Sequence, residues 1–268
     1  MAKKSVTRPP VLMIHGAFCG GWVFEPWRAL FESEGYRGQA PTLRYHDCGQ
    51  DPPPALGTTS VLDYAADLEI LLDGLEQPPI LVGHSMGGLL AQMLAARRSV
   101  RALVLLAPSA PWGVLPSTPF EIVSAQALYM AGDFWQKRLW PTHWIAAANA
   151  LDLVPHPERD EIFARFVAES GQATFEIMHW PLDLARAAQV DARAVTCPIL
   201  CLSGARDRVN PPATVRRIAR RYEGRAIYEE LAGRSHWLLG EPGWEKIAGR
   251  ALEWLGEVLE SEAKSAAR

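Results

Sequence analysis

A short apolar run that stops abruptly in glycine constrains this chain more than any other stretch. Ile80-Leu81-Val82 follows a proline pair and reads as a buried strand. Gly83-His84-Ser85-Met86-Gly87-Gly88 comes next, and the helix-favouring stretch Leu89 to Arg97 begins at once. A strand that becomes a helix within so few residues brings two backbones close together on either side of Ser85. Side chains there would collide, and Gly83 and Gly87 have none. Such a turn lifts the Ser85 hydroxyl above the sheet and places it at a helix N-terminus, where free N–H groups and the helix dipole favour negative charge. The competing reading is a Gly-Ser turn with no chemistry. What separates the two is whether the chain also supplies a base, an acid to orient it, and donors for an oxyanion.

The flanking pattern defines the fold class. Val11 to His15 is a compact apolar strand ending in the bend His15-Gly16-Ala17-Phe18-Cys19-Gly20-Gly21-Trp22, followed by a helix near Val23 to Ser33 and a strand at Tyr36 to Ala40. Prolines and glycines make Thr42 to Thr59 a loop. From Val61 to Glu76, the residues Val61, Tyr64, Ala65, Leu68, Leu71, Leu72 and Leu75 follow helical spacing, with Asp63, Asp67, Asp73 and Glu76 off that face. Ala102 to Ala107 is a further buried strand. Strand and helix alternate throughout, which predicts an α/β fold: a mostly parallel sheet with helices on both faces. The alternation resumes with a strand at Cys197 to Ser203, a helix at Pro212 to Tyr222, a strand at Arg225 to Leu231 and a helix from Trp244 to Glu260, before an Ala/Lys/Ser tail expected to fray.

Between these halves the rhythm breaks. No strand is evident from Pro111 to Ala188, where helical stretches alternate with prolines. The expected organisation is therefore a core of 1–110 and 189–268 with a helical cap inserted at 111–188. Five of the ten tryptophans fall in this insertion, at 112, 135, 140, 144 and 180. A small helical layer needs bulky residues for its own packing, so most of these tryptophans are assigned to that role, with one or two lining an apolar pocket. The expected lining of an apolar substrate pocket is drawn from Phe18, Trp112, Trp135, Trp144, Trp180 and Trp237.

Composition removes several classes of partner. The formal net charge is −3, and no basic tract appears, so nucleic acid and anionic membrane are not expected partners. The Lys3-Lys4 pair is not followed by an apolar signal-peptide core, and no run of 18 apolar residues exists, so the reading is cytoplasmic. Cys19, Cys48, Cys197 and Cys201 form no metal pattern and are expected as reduced structural thiols, with a reactive Cys19 as the minority alternative. The Gly16 bend lacks both the G-x-G-x-x-G spacing and a phosphate-binding lysine, so no nucleotide cofactor is expected.

Serine at its free pKa needs a base within hydrogen-bond reach. Among seven histidines, His236 lies in a loop between the final strand and the final helix, at the same sheet edge as Ser85. His84 adjoins the serine but points elsewhere and is expected to support the turn. His15 is expected to hold the glycine bend by hydrogen bonds. His46, His143, His156 and His179 are assigned surface or packing roles. Asp207 follows the strand that ends at Ser203, one strand–helix unit before the His236 loop. An aspartate between two arginines reads equally well as a surface ion pair, but the strand ending at Ala107 offers no competing carboxylate. The order Ser85, Asp207, His236 then completes a catalytic set.

The turn Gly83-His84-Ser85-Met86-Gly87, the loops of Asp207 and His236, and the bend at His15 together resemble the α/β-hydrolase family across nearly the whole chain. The bend and the serine turn are similar to its plant methylesterase and hydroxynitrile lyase branch. That resemblance implies an oxyanion hole formed by the backbone N–H groups of Ala17 and Met86. The lyases of that branch carry a threonine where this chain has Gly16 and a lysine where it has Trp237, so hydrolysis is favoured over cyanohydrin cleavage. The expected activity is serine-dependent cleavage of small to medium hydrophobic or aromatic carboxylic esters, with no cofactor. Thioesterase, lactonase, acyltransferase or perhydrolase chemistry on the same residues is the alternative, and a non-catalytic small-ligand receptor is the alternative of another class.

Overall fold

A computed structural model of the chain describes residues 8–130 and 132–266. The Lys3-Lys4 pair lies outside them. Strand β1 (Pro10–Ile14) leads through a 3₁₀ turn into helix α1 (Glu25–Ser33) and the short strand β2 (Arg37–Gln39). Helix α2 (Val61–Asp73) opens with a capping box, in which the Ser60 hydroxyl accepts from Leu62 N–H and the Asp63 carboxylate from Ser60 N–H. Val61, Tyr64, Ala65, Leu68 and Leu72 form its buried face. Leu71, expected on that face, is 41% exposed. The helix ends at Asp73, so Leu75 packs half-buried beyond its last turn.

Strand β3 (Ile80–His84), helix α3 (Met86–Ala95) and strand β4 (Ala102–Leu106) follow, and every residue in all three is buried. The long segment after β4 contains helix α4 (Pro119–Met130), strand β5 (Arg138–Leu139), helices α5 (His143–Ala148) and α6 (His156–Ala164), strand β6 (Glu169–Ser170) and helix α7 (Gly171–Met178). β5 and β6 pair antiparallel, with Arg138 opposite Ser170 and Leu139 opposite Glu169. The expectation of no strand in this region is therefore corrected. Two-residue strands carry no periodicity for a sequence to display.

The chain then returns to the sheet with strand β7 (Ile199–Gly204), helix α8 (Pro212–Arg220), strand β8 (Ala226–Leu231) and helix α9 (Trp244–Ala266). α9 runs on to Ala266, into the tail that was expected to fray. Its Ala, Glu and Lys content favours helix, and Lys264 pairs with Glu260 one turn back.

The six main strands run in the order β2-β1-β3-β4-β7-β8, and every neighbouring pair is parallel. Parallel strands need crossover helices, which is why the central strands are apolar throughout. Residues of α2, α3 and α8 share one core with the sheet, and residues of α1 and α9 share the other. Each aliphatic side chain buried in these layers stabilises the fold by about 1.5–3 kcal/mol. The chain steps outward from β1 to β2, then crosses to the other side of β1 to lay down β3. The connections leaving β1 and β3 therefore diverge, and the crevice beyond the carboxyl ends of these two strands is where a ligand fits such a sheet.

Candidate active site

Ser85 sits in that crevice, between β3 and α3. Its φ of 53° and ψ of −121° place a non-glycine residue in a disfavoured region, at a cost of about 1–3 kcal/mol. The surrounding backbone holds it there. Ser85 N–H donates to Leu106 O at 3.0 Å, and Ser85 O accepts from Gly88 and Ser109 N–H, both at 2.9 Å. A Cβ at Gly87 would lie on the Ile14 carbonyl, and one at Gly83 on the Gly87 carbonyl. The two glycines are thus required by contact, as their spacing predicts.

The loops after β7 and β8 bring Asp207 and His236 to the same edge. His236 Nδ1 donates to Asp207 Oδ2 at 2.8 Å, and its Nε2 lies 3.2 Å from Ser85 Oγ. Because the carboxylate can only accept, the proton belongs on Nδ1, and Nε2 presents a lone pair to the serine hydroxyl. The other carboxylate oxygen, Oδ1, accepts from Val209 and Asn210 N–H at 2.8 and 2.9 Å, so Asp207 is fixed on both sides. All three residues are buried. This arrangement can take a proton from a serine oxygen and stabilise the resulting imidazolium.

Two further histidines brace the site. His84 Nε2 donates to His236 O at 2.9 Å, and the two rings lie 4.9 Å apart. Burial first, and the nearby His236 second, lower its pKa to about 3, so it is neutral. His15 Nδ1 donates to Gly16 O at 2.8 Å, while its Nε2 accepts from Leu43 N–H at 3.0 Å. Burial, and then His46, lower its pKa to about 3 as well. The Gly16 carbonyl belongs to the same planar peptide as the Ala17 N–H, so His15 sets the direction of that donor. Among the described residues neither the Ala17 nor the Met86 N–H donates to a protein acceptor. Met86 opens α3, where the first N–H groups have no intrahelical partner.

A cavity of about 710 Å³ opens over these groups, with Gly16, Ala17, Ser85 and His236 at its floor and an otherwise mainly apolar wall. The alpha/beta hydrolase family model matches residues 11–248. The chain belongs to the α/β-hydrolase family. It is 33% identical to a pyrethroid hydrolase of Sphingobium wenxiniae over 120 residues, a match spanning 42% of this chain and 41% of that protein. It is 29% identical over 184 residues to a pimeloyl-[acyl-carrier protein] methyl ester esterase of Neisseria meningitidis, covering 66% of this chain and 69% of the relative. In fold it is similar to a methylesterase from Arabidopsis, with a TM-score of 0.69 at 15% identity over 92% of this chain and 99% of the other.

Within this α/β-hydrolase the tryptophans divide. Trp180 and Trp237 line the cavity together with Phe18, as expected, and so does Trp140. Trp112, Trp135 and Trp144, the other candidates, lie outside its lining, so two of the five tryptophans in the insertion line the cavity. Trp112 packs edge-on against Trp180 at 5.1 Å and beneath the Arg186 guanidinium. Trp135 sits among Tyr129, Phe134 and Phe175, and Trp144 is 70% exposed. Residue type shows that these side chains are bulky, but not which of them meets the cavity.

Glu169 was not legible as a site residue, and His46 was assigned only a surface or packing role. Both are buried, and they pair at 3.0 Å directly behind the Phe18 bend. The sequence trace is faint: a carboxylate closing the apolar run Phe166-Val167-Ala168. Cys19 lies beside them, and burial, with Glu169 second, pushes its thiol far above the usual range. A thiol held neutral in this way fits the structural reading of Cys19. All four cysteines are free. Among the described residues no group of three or more His, Cys, Asp or Glu is placed to hold a metal, and no helix is long and apolar enough to cross a membrane.

Proposed function

We propose that this α/β-hydrolase cleaves carboxylic esters of small to medium hydrophobic or aromatic character through an acyl-enzyme on Ser85. The observation that carries the reading is the line Asp207–His236–Ser85, joined at 2.8 and 3.2 Å, ending at the floor of a largely apolar cavity. Ser85 Oγ attacks the ester carbonyl as His236 Nε2 takes its proton. The N–H groups of Ala17 and Met86 receive the oxyanion of the tetrahedral intermediate. His236 returns the proton to the departing alkoxide, which leaves as alcohol. A water molecule, deprotonated by the same nitrogen, then attacks the acyl carbon, and collapse of the second intermediate releases the acid and restores the Ser85 hydroxyl. Asp207 holds the Nδ1–H tautomer and stabilises the imidazolium in both halves. The segment 111–188 serves as the cap that selects the ester, and its Trp140 and Trp180 supply part of the apolar wall. The name of the Neisseria relative, a methyl ester esterase, supports the reaction class.

The test is a substrate panel of short to long p-nitrophenyl esters beside thioesters, lactones and amides, run on wild-type protein and Ser85→Ala. Esters should turn over fastest, and Ser85→Ala should lose both turnover and labelling by a fluorophosphonate while keeping its circular dichroism. Undiminished turnover by Ser85→Ala would sink the assignment.

A further inference from the structure

The buried carboxylate of Glu169 lies far from Ser85 in sequence and takes no part in the steps above. It accepts four donors. Oε2 takes the Phe18 N–H at 3.3 Å and His46 Nε2 at 3.0 Å; Oε1 takes the Tyr64 hydroxyl at 2.8 Å and the Ser170 N–H at 2.6 Å. His46 has acceptors on both nitrogens, since its Nδ1 faces Arg44 O at 3.0 Å. Only the imidazolium can donate twice, so the two partners form a buried ion pair. The directions of titration agree: the attraction to Glu169 holds the His46 pKa above its usual value despite burial, and His46 holds that of Glu169 below its own.

This pair is joined to one short stretch of backbone. Phe18 has a φ of 62°, a conformation that a bulky side chain rarely adopts. Its peptide groups are clamped from the 111–188 segment on both sides, with its N–H on Glu169 and its carbonyl accepting from Val167 N–H at 2.9 Å. Ala17 lies between two fixed peptides. His15 holds the one before it through Gly16 O, and Glu169 holds the one after it through Phe18 N–H. We infer that Glu169, charged against His46, is a positioning residue that aims the Ala17 N–H into the site. The 111–188 segment thereby acts on the chemical step as well as on the shape of the cavity. This rests on the reading of Ala17 as an oxyanion donor.

Glu169→Gln keeps the size of the side chain but replaces two acceptor oxygens with one oxygen and one NH₂ group. Four donors cannot all be met, and one side must set N–H against N–H. The measurement is the inactivation of Ser85 by a fluorophosphonate, whose phosphoryl oxygen occupies the same donors as an ester oxyanion. Its saturation rate is separated from its half-saturation concentration. Glu169→Gln should lower the saturating rate about tenfold to a hundredfold, because small misplacements of a preorganised donor cost rate on that scale. Half-saturation should stay within about threefold. Tyr64→Phe, which removes one donor and leaves the ion pair, should show the same split at about two- to fivefold and covers the case in which Glu169→Gln does not fold. His46→Gln combined with Glu169→Gln should recover part of the rate lost in either single variant, since each alone leaves a buried charge unpaired.

A folded Glu169→Gln with the wild-type saturating rate, a Tyr64→Phe with no split, or a loss confined to half-saturation would overturn the positioning role. Ser85→Ala, run alongside, keeps the two readings apart. If that variant still reacts, the nucleophile assignment falls; if it is inert and Glu169→Gln reacts like wild type, only the positioning role falls.

Discussion

The carboxyl edge of the sheet and the segment at 111–188 meet across one cavity and are built by different rules. At the sheet edge each functional group is fixed by backbone. Ser85 is held by Leu106, Gly88 and Ser109, Asp207 by the amides of Val209 and Asn210, and His84 by the carbonyl of His236. In the segment no residue of α4, α5 or α6 is buried, and Leu115, Val123, Met130, Trp144 and Leu184 are each more than 60% exposed. The segment nevertheless holds the bend after β1 firmly, where Val167 and Glu169 grip Phe18. Rigid backbone suits groups that must meet within hydrogen-bond distance. A loosely packed apolar wall suits selection by size and shape, which tolerates repacking.

The contrast is easiest to break at the nucleophile. Ser85→Ala should reduce ester turnover by about 10⁴–10⁶ while leaving KM and thermal stability nearly unchanged, as measured by steady-state kinetics and a melting curve. Asp207→Asn should cost about 10⁴ in kcat, because an amide can present its NH₂ to His236 and favour the wrong tautomer. Gly87→Ala should destabilise the fold by about 2–4 kcal/mol in urea denaturation, since its Cβ meets the Ile14 carbonyl and neither strand nor helix can yield. A Gly87→Ala protein as stable as wild type would show that the edge is softer than its contacts indicate.

The braces of the edge should also show in pH dependence. His15 and His84 have pKa values of about 3 when folded, below the ordinary 6.5, so the unfolded chain binds more protons than the folded one between these limits. Their contribution to stability is fully present above pH 6.5 and is lost as pH falls toward 3, at about 1.4 kcal/mol per pH unit for each group. His46 has the opposite sign. Its raised pKa gives stability that is full below 6.5 and is lost as pH rises through the folded value. Urea midpoints across this range should therefore fall on the acid side, and His84→Gln should shallow that slope by one proton. The smallest effects belong to the wall. Trp180→Ala, in the lining, should shift the preference among acyl lengths severalfold, and Trp144→Ala, outside it, should leave the preference unchanged. Equal effects from the two would erase the distinction drawn between lining and surface.

Much of the sheet was legible because its signals are local. Glycines flanking Ser85, apolar runs at 80–82 and 102–107, and the helical spacing at 61–72 each reflect contacts within or next to one element. The order of Ser85, Asp207 and His236 along the chain placed them at one edge because parallel strands deliver successive loops to the same end. Leu71 was misjudged because spacing gives a stripe but not its width. Which of the insertion tryptophans would line the cavity was not legible, because the segment has no alternation to tell inside from outside.

By itself, then, the sequence determined an α/β sheet, the turn that strains Ser85, and the loops that carry Asp207 and His236, since all of these follow from short-range sterics and strand order. Tertiary structure alone decided that Glu169, His46 and Tyr64 meet behind Phe18, and which aromatic residues face the cavity. The contacts of Glu169 with Phe18, His46 and Tyr64 join residues more than a hundred positions apart, and a carboxylate that ends an apolar run looks the same on paper whether it faces water or a buried imidazolium.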